Sequence, residues 1–97
     1  MAEDTQFYPL PRILADDFAE FADILADDED FPSTHAAWER LSEARVAELA
    51  DEGYTAKFLE VRPAGFRRFL KEMGGVPTMN GLAGYVALLA TYKGRMG

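Results

Sequence analysis

YTAKFLEVR, from Tyr54 to Arg62, is the stretch on which the fold class depends. Its side chains alternate with a period of two, which is typical of a β-strand, yet a stretch this short can also continue a helix. A lone strand would leave its backbone groups unpaired. A strand at 54–61 would therefore need a partner from another chain or from the N-terminal arm, and we favour the helix.

The residues on either side of this stretch follow helical spacing. Between Pro63 and Gly74, for example, the apolar residues Phe66, Phe69, Leu70 and Met73 recur at i, i+3, i+4 and i+7. The same reasoning predicts helices at roughly 12–28, 34–52, 63–73 and 79–93. We therefore expect an all-α fold, a compact bundle of about four helices that forms a single domain over residues 1–97.

The first 11 residues are expected to form an extended, proline-containing arm. Pro9 and Pro11 prevent an early helix. Phe7, Tyr8 and Leu10 are too apolar for a tail that moves freely in water. The arm should therefore dock on the protein's own surface or on that of a partner.

Apolar residues on the inward side of each predicted helix give a predicted core. Its members are Leu14, Phe18, Phe21, Leu25, Trp38, Leu41, Leu49, Phe66, Phe69, Leu70, Met73, Leu82, Tyr85, Val86 and Leu89.

Charge is distributed very unevenly along the chain. The net charge is −7, but residues 1–30 hold ten acids and one base, whereas residues 57–97 hold seven bases and two acids. In the first predicted helix, Asp16, Glu20, Asp23 and Asp27 lie opposite the apolar side. Neighbouring like charges on a helix cost about 0.2–0.5 kcal/mol per pair. Solvation is the ordinary explanation of such a surface, but this cost suggests an additional use.

The third predicted helix carries the opposite charge. Arg67, Arg68 and Lys71 lie opposite its apolar side. If the apolar sides of both helices bury in one core, the two charged surfaces point outward and apart, and their centres cannot meet within one monomer. Both sets are therefore predicted to bind a partner, since charge complementarity orients contacts between molecules.

The sequence offers no recognisable catalytic or cofactor site. It has no cysteine, and His35 is the single histidine, so a metal site or a catalytic triad lacks its other members. GGVPTMNGLAG, from Gly74 to Gly84, matches neither the phosphate-binding loop nor the dinucleotide fingerprint. We expect no catalytic, metal or cofactor residues and a non-enzymatic protein.

These observations favour a protein–protein interaction or regulatory module that binds a protein partner or a second copy of itself. The alternative is a nucleic-acid-related protein, either a binder through Arg67, Arg68 and Lys71 or an inhibitor that imitates nucleic acid through the acidic helix. The N-terminus lacks the features of a secretion signal. The longest apolar run, Leu82 to Tyr92, has eleven residues, against the roughly 20 that cross a bilayer. We expect a cytoplasmic protein that does not enter a membrane.

Overall fold

The computed structural model describes the backbone of residues 6–96 and the side chains of residues 6–91. Over these residues the chain is a mixed α/β fold, so the predicted all-α helical bundle is wrong. The elements, in chain order, are β1 (Gln6–Arg12), α1 (Ala15–Ile24), α2 (His35–Asp51), β2 (Tyr54–Glu60), α3 (Pro63–Met73) and α4 (Met79–Met96).

The two strands form a parallel sheet of their own. The register runs from Gln6 opposite Tyr54 to Arg12 opposite Glu60. Part of the N-terminal arm is thus the partner of the stretch for which a helix was favoured, and the arm's residues 1–5 lie outside the described residues. Parallel strands need a long crossover connection, which α1 and α2 provide here.

Two prolines fit within β1 because of the direction in which its backbone groups point. The N–H of Val61 donates to the carbonyl oxygen of Arg12 at 3.0 Å, so the backbone of Arg12 faces β2. Backbone direction alternates along a strand, and Phe7, Pro9 and Pro11 therefore face away from β2. Proline has no N–H, and both prolines occupy positions where the sheet needs none.

The sheet lies between α2 on one face and α4 on the other. The Arg45 guanidinium of α2 lies over the Tyr8 ring, 5.4 Å from its centroid. On the opposite face, Leu59 and the adjoining Val61 belong to the main core cluster with Leu82 and Val86 of α4. α4 also contacts both strands. A two-stranded sheet is marginal in water without such packing.

The buried residues extend beyond the predicted core, chiefly at the strands. Leu10, Ile13, Leu59 and Val61 are buried but were not predicted. Leu14, Leu41 and Met73 were predicted and are exposed, by 36%, 43% and 62% respectively. The buried residues that were predicted are Phe18, Phe21, Leu25, Trp38, Leu49, Phe66, Leu82 and Val86. Ile13 is buried in place of Leu14 because α1 begins only at Ala15 and the backbone of Leu14 is extended. In an extended chain, neighbouring side chains point in opposite directions.

Gly65 allows α3 to approach α4 closely. A Cβ atom at this position would collide with the hydroxyl of Tyr85, a half-buried residue whose pKa is raised by its burial. We expect Gly65→Ala to lower the free energy of unfolding by about 1–3 kcal/mol, because overpacking forces neighbours to move. In a Tyr85→Phe background, where the hydroxyl is gone, the loss should shrink. Denaturant unfolding of both single variants and the double variant measures this coupling.

Gly84, on the exposed side of α4, is the matched control. A Cβ atom there would meet nothing within 4 Å. Gly84→Ala should raise the free energy of unfolding by up to about 1 kcal/mol, since alanine favours a helix interior over glycine. An equal loss from Gly65→Ala with and without the Tyr85 hydroxyl would contradict the proposed contact.

Candidate functional site

A groove with a volume of about 600 Å³ follows the outer edge of β1. Its floor is the four successive residues from Tyr8 to Pro11. Because these point alternately to both faces of the sheet, and no β2 residue lines the groove, the groove lies at the edge of the strand rather than over a face. We call it the β1 groove. Its walls are α2, through Trp38, Leu41, Ser42, Ala44, Arg45 and Glu48, and α4, through Met79, Asn80, Leu82, Ala83 and Ala87.

The floor of the β1 groove accepts hydrogen bonds but donates few. Pro9 and Pro11 turn their carbonyl oxygens outward and have no N–H to accompany them. An extended peptide added along this edge would therefore lack donors at two successive outward positions. The floor suits apolar side chains better than an added strand.

Small residues line the α4 wall of the groove. Ala83 and Ala87 line the groove and are exposed, and Gly84 beside them is exposed as well. Val86 faces the core, and Leu82, although it lines the groove, is almost fully buried. A bound side chain can therefore approach the α4 backbone closely.

One charged pair stands at the α2 rim of the groove. Arg45 donates to the Glu48 carboxylate at 3.2 Å and lies over the Tyr8 ring. The hydrogen bond to Glu48 is the main cause that raises the pKa of Arg45 above its ordinary value, and the nearby Tyr8 also raises it. Arg45 thus stays charged and is oriented along the rim.

The groove continues into an acidic opening. A neighbouring cavity, lined in part by Asp28 and Asp30, shares Leu41, Met79 and Asn80 with the β1 groove. We call Asp28 and Asp30 the acidic mouth.

Asp28 and Asp30 have different roles in the acidic mouth. The Asp28 carboxylate accepts the N–H of Met79 at 2.7 Å and that of Asp30 at 2.9 Å, which holds the turn against the start of α4. Asp28 is therefore structural. The exposed Asp30 carboxylate is the group able to meet a ligand.

The acidic and basic surfaces predicted from sequence adjoin each other within one chain. Asp16, Glu20, Asp23, Asp27, Arg67, Arg68 and Lys71 are all exposed. However, Arg67 forms an ion pair with Glu20, and Arg62 Nε lies 2.8 Å from Asp17 Oδ2. The expectation that the two surfaces point apart within a monomer is thus wrong, because α1 and α3 pack side by side.

The other predicted residues remain apart from this contact. Arg68 lies 3.8 Å from Glu72 of its own helix. Among the side chains of residues 6–91, Asp16, Asp23, Asp27 and Lys71 have no oppositely charged partner. The exposed Asp27 directly precedes Asp28 of the acidic mouth in the chain, in the turn that follows α1.

His35 has a structural role that connects two parts of the fold. It is the first residue of α2, its Nε2 lies 2.8 Å from the carbonyl oxygen of Ile13, and its ring meets the Phe18 ring edge-on. The side chain therefore links α2 to the segment between β1 and α1. Over the described residues, no three metal-binding side chains come together. No helix in that part of the chain is long and apolar enough to span a bilayer.

Sequence reasoning missed the β1 groove, although two signals point toward it. Pro9 and Pro11 are two residues apart, so in a strand both fall on the same edge. The fourth helix is rich in small residues, and two of them, Ala83 and Ala87, line the groove.

Comparison with protein families, with curated proteins and with solved structures found no match to this chain.

The ion pair between Glu20 and Arg67 should contribute modestly to stability. Both side chains are about half exposed, at 49% and 51%, and exposed pairs typically contribute about 0.2–1 kcal/mol. We expect a double-mutant cycle of Glu20→Gln and Arg67→Gln to give a coupling energy in this range that falls with added salt. Arg68→Gln combined with Glu20→Gln is the control, and it should show no coupling. A zero coupling for Glu20 and Arg67 would show that they do not stabilise the fold together.

Proposed function

We propose that this protein is a non-catalytic protein-binding module whose β1 groove receives an apolar segment of a partner, with a lysine or arginine of that segment at the acidic mouth. The observation that carries the proposal is the continuity of the two features. Leu41, Met79 and Asn80 line both the apolar groove and the cavity that holds Asp28 and Asp30. A ligand that fills the groove therefore reaches the carboxylates.

Apolar contact would supply most of the affinity. Leu41 is 43% exposed in a wall of the groove, and the exposed Ala83 and Ala87 form the opposite wall. Each large apolar side chain that leaves water contributes about 1.5–3 kcal/mol. Since the floor lacks N–H groups at Pro9 and Pro11, the partner's side chains rather than an added strand would make these contacts.

Charge would select the partner and its orientation. Asp30 stands at the mouth, Asp16 and Asp23 are exposed on α1, and the exposed Asp27 lies in the turn between α1 and the mouth. Complementary charge raises association rates and disfavours partners of the wrong sign. The residues chosen from sequence on α1 would thus steer a basic partner, while the groove provides the contact.

In the structure, the basic residues of α3 favour the nucleic-acid alternative less than the sequence alone suggests. Arg67 is paired with Glu20, and Arg68 lies within 4 Å of Glu72. Two of the three cations are therefore already beside a carboxylate.

A displayed library of random peptides tests the proposal. The wild-type protein should enrich peptides that combine large apolar residues with a lysine or arginine at one end. Ala87→Trp should abolish their binding because the indole fills the groove. Ala64→Trp, at an exposed position on α3 that does not line the groove, is the matched control and should bind normally.

The acidic mouth is tested separately with the enriched peptides. Asp30→Asn should weaken binding and reduce its dependence on salt, whereas Asp51→Asn, at the far end of α2, should change neither. Isothermal titration at low and high salt provides the measurement. Equal binding by the wild type and Ala87→Trp would rule out the groove as the binding site.

A further inference from the structure

The two edges of the sheet are chemically different. At the edge of β1, Pro9 and Pro11 remove two outward N–H groups. In β1 the odd-numbered residues face outward, but in β2 they face inward. The N–H of Val61 points toward β1 and donates to the carbonyl oxygen of Arg12. By alternation, the backbones of Tyr54, Ala56, Phe58 and Glu60 point outward. β2 contains no proline, so its edge keeps every donor and acceptor.

Within residues 6–96, the outward groups of β2 have no hydrogen-bond partner. The sheet formed by these residues has two strands in the order β1-β2. Over the described residues, no backbone or side-chain hydrogen bond beyond the sheet involves Tyr54, Ala56, Phe58 or Glu60. The side chains of Tyr54, Ala56 and Phe58 are only partly buried. An edge of this kind is a template for pairing with another strand.

We propose that β2 pairs antiparallel with β2 of a second copy, about a two-fold axis at Ala56, to form a four-stranded sheet. A two-fold axis between antiparallel strands passes through a pair of identical positions, which can face outward, as at Ala56 or Phe58, or inward, as at Thr55 or Lys57. An axis at Lys57 would place two like charges directly opposite each other. An axis at Thr55 would pair only three residues of each β2, so the outward-facing positions are favoured. With the axis at Ala56, the alanines of the two copies exchange hydrogen bonds. Tyr54 then lies opposite Phe58 of the second copy on both sides of the axis.

This register is the one that the side chains favour. Two cross-strand pairs of aromatic residues form, and such pairs stabilise sheets. Lys57 lies opposite Thr55 of the second copy. With the axis at Phe58 instead, Lys57 would lie opposite the buried Leu59 and the aromatic Tyr54 would face Arg62. The axis at Ala56 avoids both unfavourable pairs.

The prolines would also limit the size of the assembly. In the order β1-β2-β2-β1, the β2 edges of the two copies pair with each other at the centre. Both outer edges are then β1 strands that carry Pro9 and Pro11. A two-fold contact uses the same surface on both copies and closes on itself. Further strands cannot add with full hydrogen bonding. The second copy is therefore the occupant that satisfies the open edge without producing a polymer.

Ala56→Pro tests this pairing because it removes an outward N–H from β2, as Pro9 and Pro11 do for β1. By sedimentation and light scattering, the wild type should show twice the chain mass of 10.8 kDa at high concentration. Ala56→Pro should show the chain mass itself, with an unchanged circular dichroism spectrum. Phe7→Pro, the same change at an outward position of β1, is the matched control and should remain dimeric.

Hydrogen exchange of the wild-type protein tests the same contact without a substitution, so the result does not depend on whether Ala56→Pro folds. The amides of Ala56 and Phe58 should exchange more slowly at high protein concentration than at low. The outward amide of Phe7 should exchange equally at both. A wild-type monomer at every concentration, a dimeric Ala56→Pro, or Ala56 and Phe58 amides whose exchange does not change with concentration would overturn the proposal. The β1 groove could still bind its peptides in each of these cases.

Discussion

The parallel pairing of β1 with β2 is the constraint on which the rest of the structure depends. It brings Gln6 beside Tyr54 and Arg12 beside Glu60, so all of α1 and α2 must fit within one crossover connection. The sheet is too small to be stable alone. Its position between α2 and α4 follows, and so do the burial of Leu59 and Val61 and the groove along the remaining edge of β1.

Local patterns predict the helices of this chain better than its sheet, for a physical reason. Helical spacing such as that of Phe66, Phe69 and Leu70 is set by residues within two turns of one another. The pairing of Leu10 with Phe58 joins distant residues and leaves no mark in either stretch alone. The sequence does restrict a strand at 54–61 to two partners, another chain or the N-terminal arm. Treating Pro9 and Pro11 only as helix breakers concealed that the arm could be an edge strand.

The candidate site shows the same boundary between local and tertiary information. The exposure of Asp16, Glu20 and Asp23 follows from the amphipathic pattern of α1. The pairing of Glu20 with Arg67 does not follow from this pattern, because it depends on how α1 and α3 pack. A helix also has flanks between its buried and its outward sides. Glu20 and Arg67, each about half exposed, meet where two such flanks adjoin. Two helices that share a core can therefore pair charges beside it.

Proline placement gives the two strands different partners. The β1 edge cannot complete a ladder of hydrogen bonds, so the space between α2 and α4 remains open as an apolar groove. The β2 edge retains its hydrogen-bonding groups and is the opposite edge of the two-stranded sheet. A strand added to β2 would leave the groove residues Leu41 and Ala87 uncovered. Self-association and partner binding would therefore use separate surfaces, and a dimer would present two grooves, one at each outer edge of its sheet.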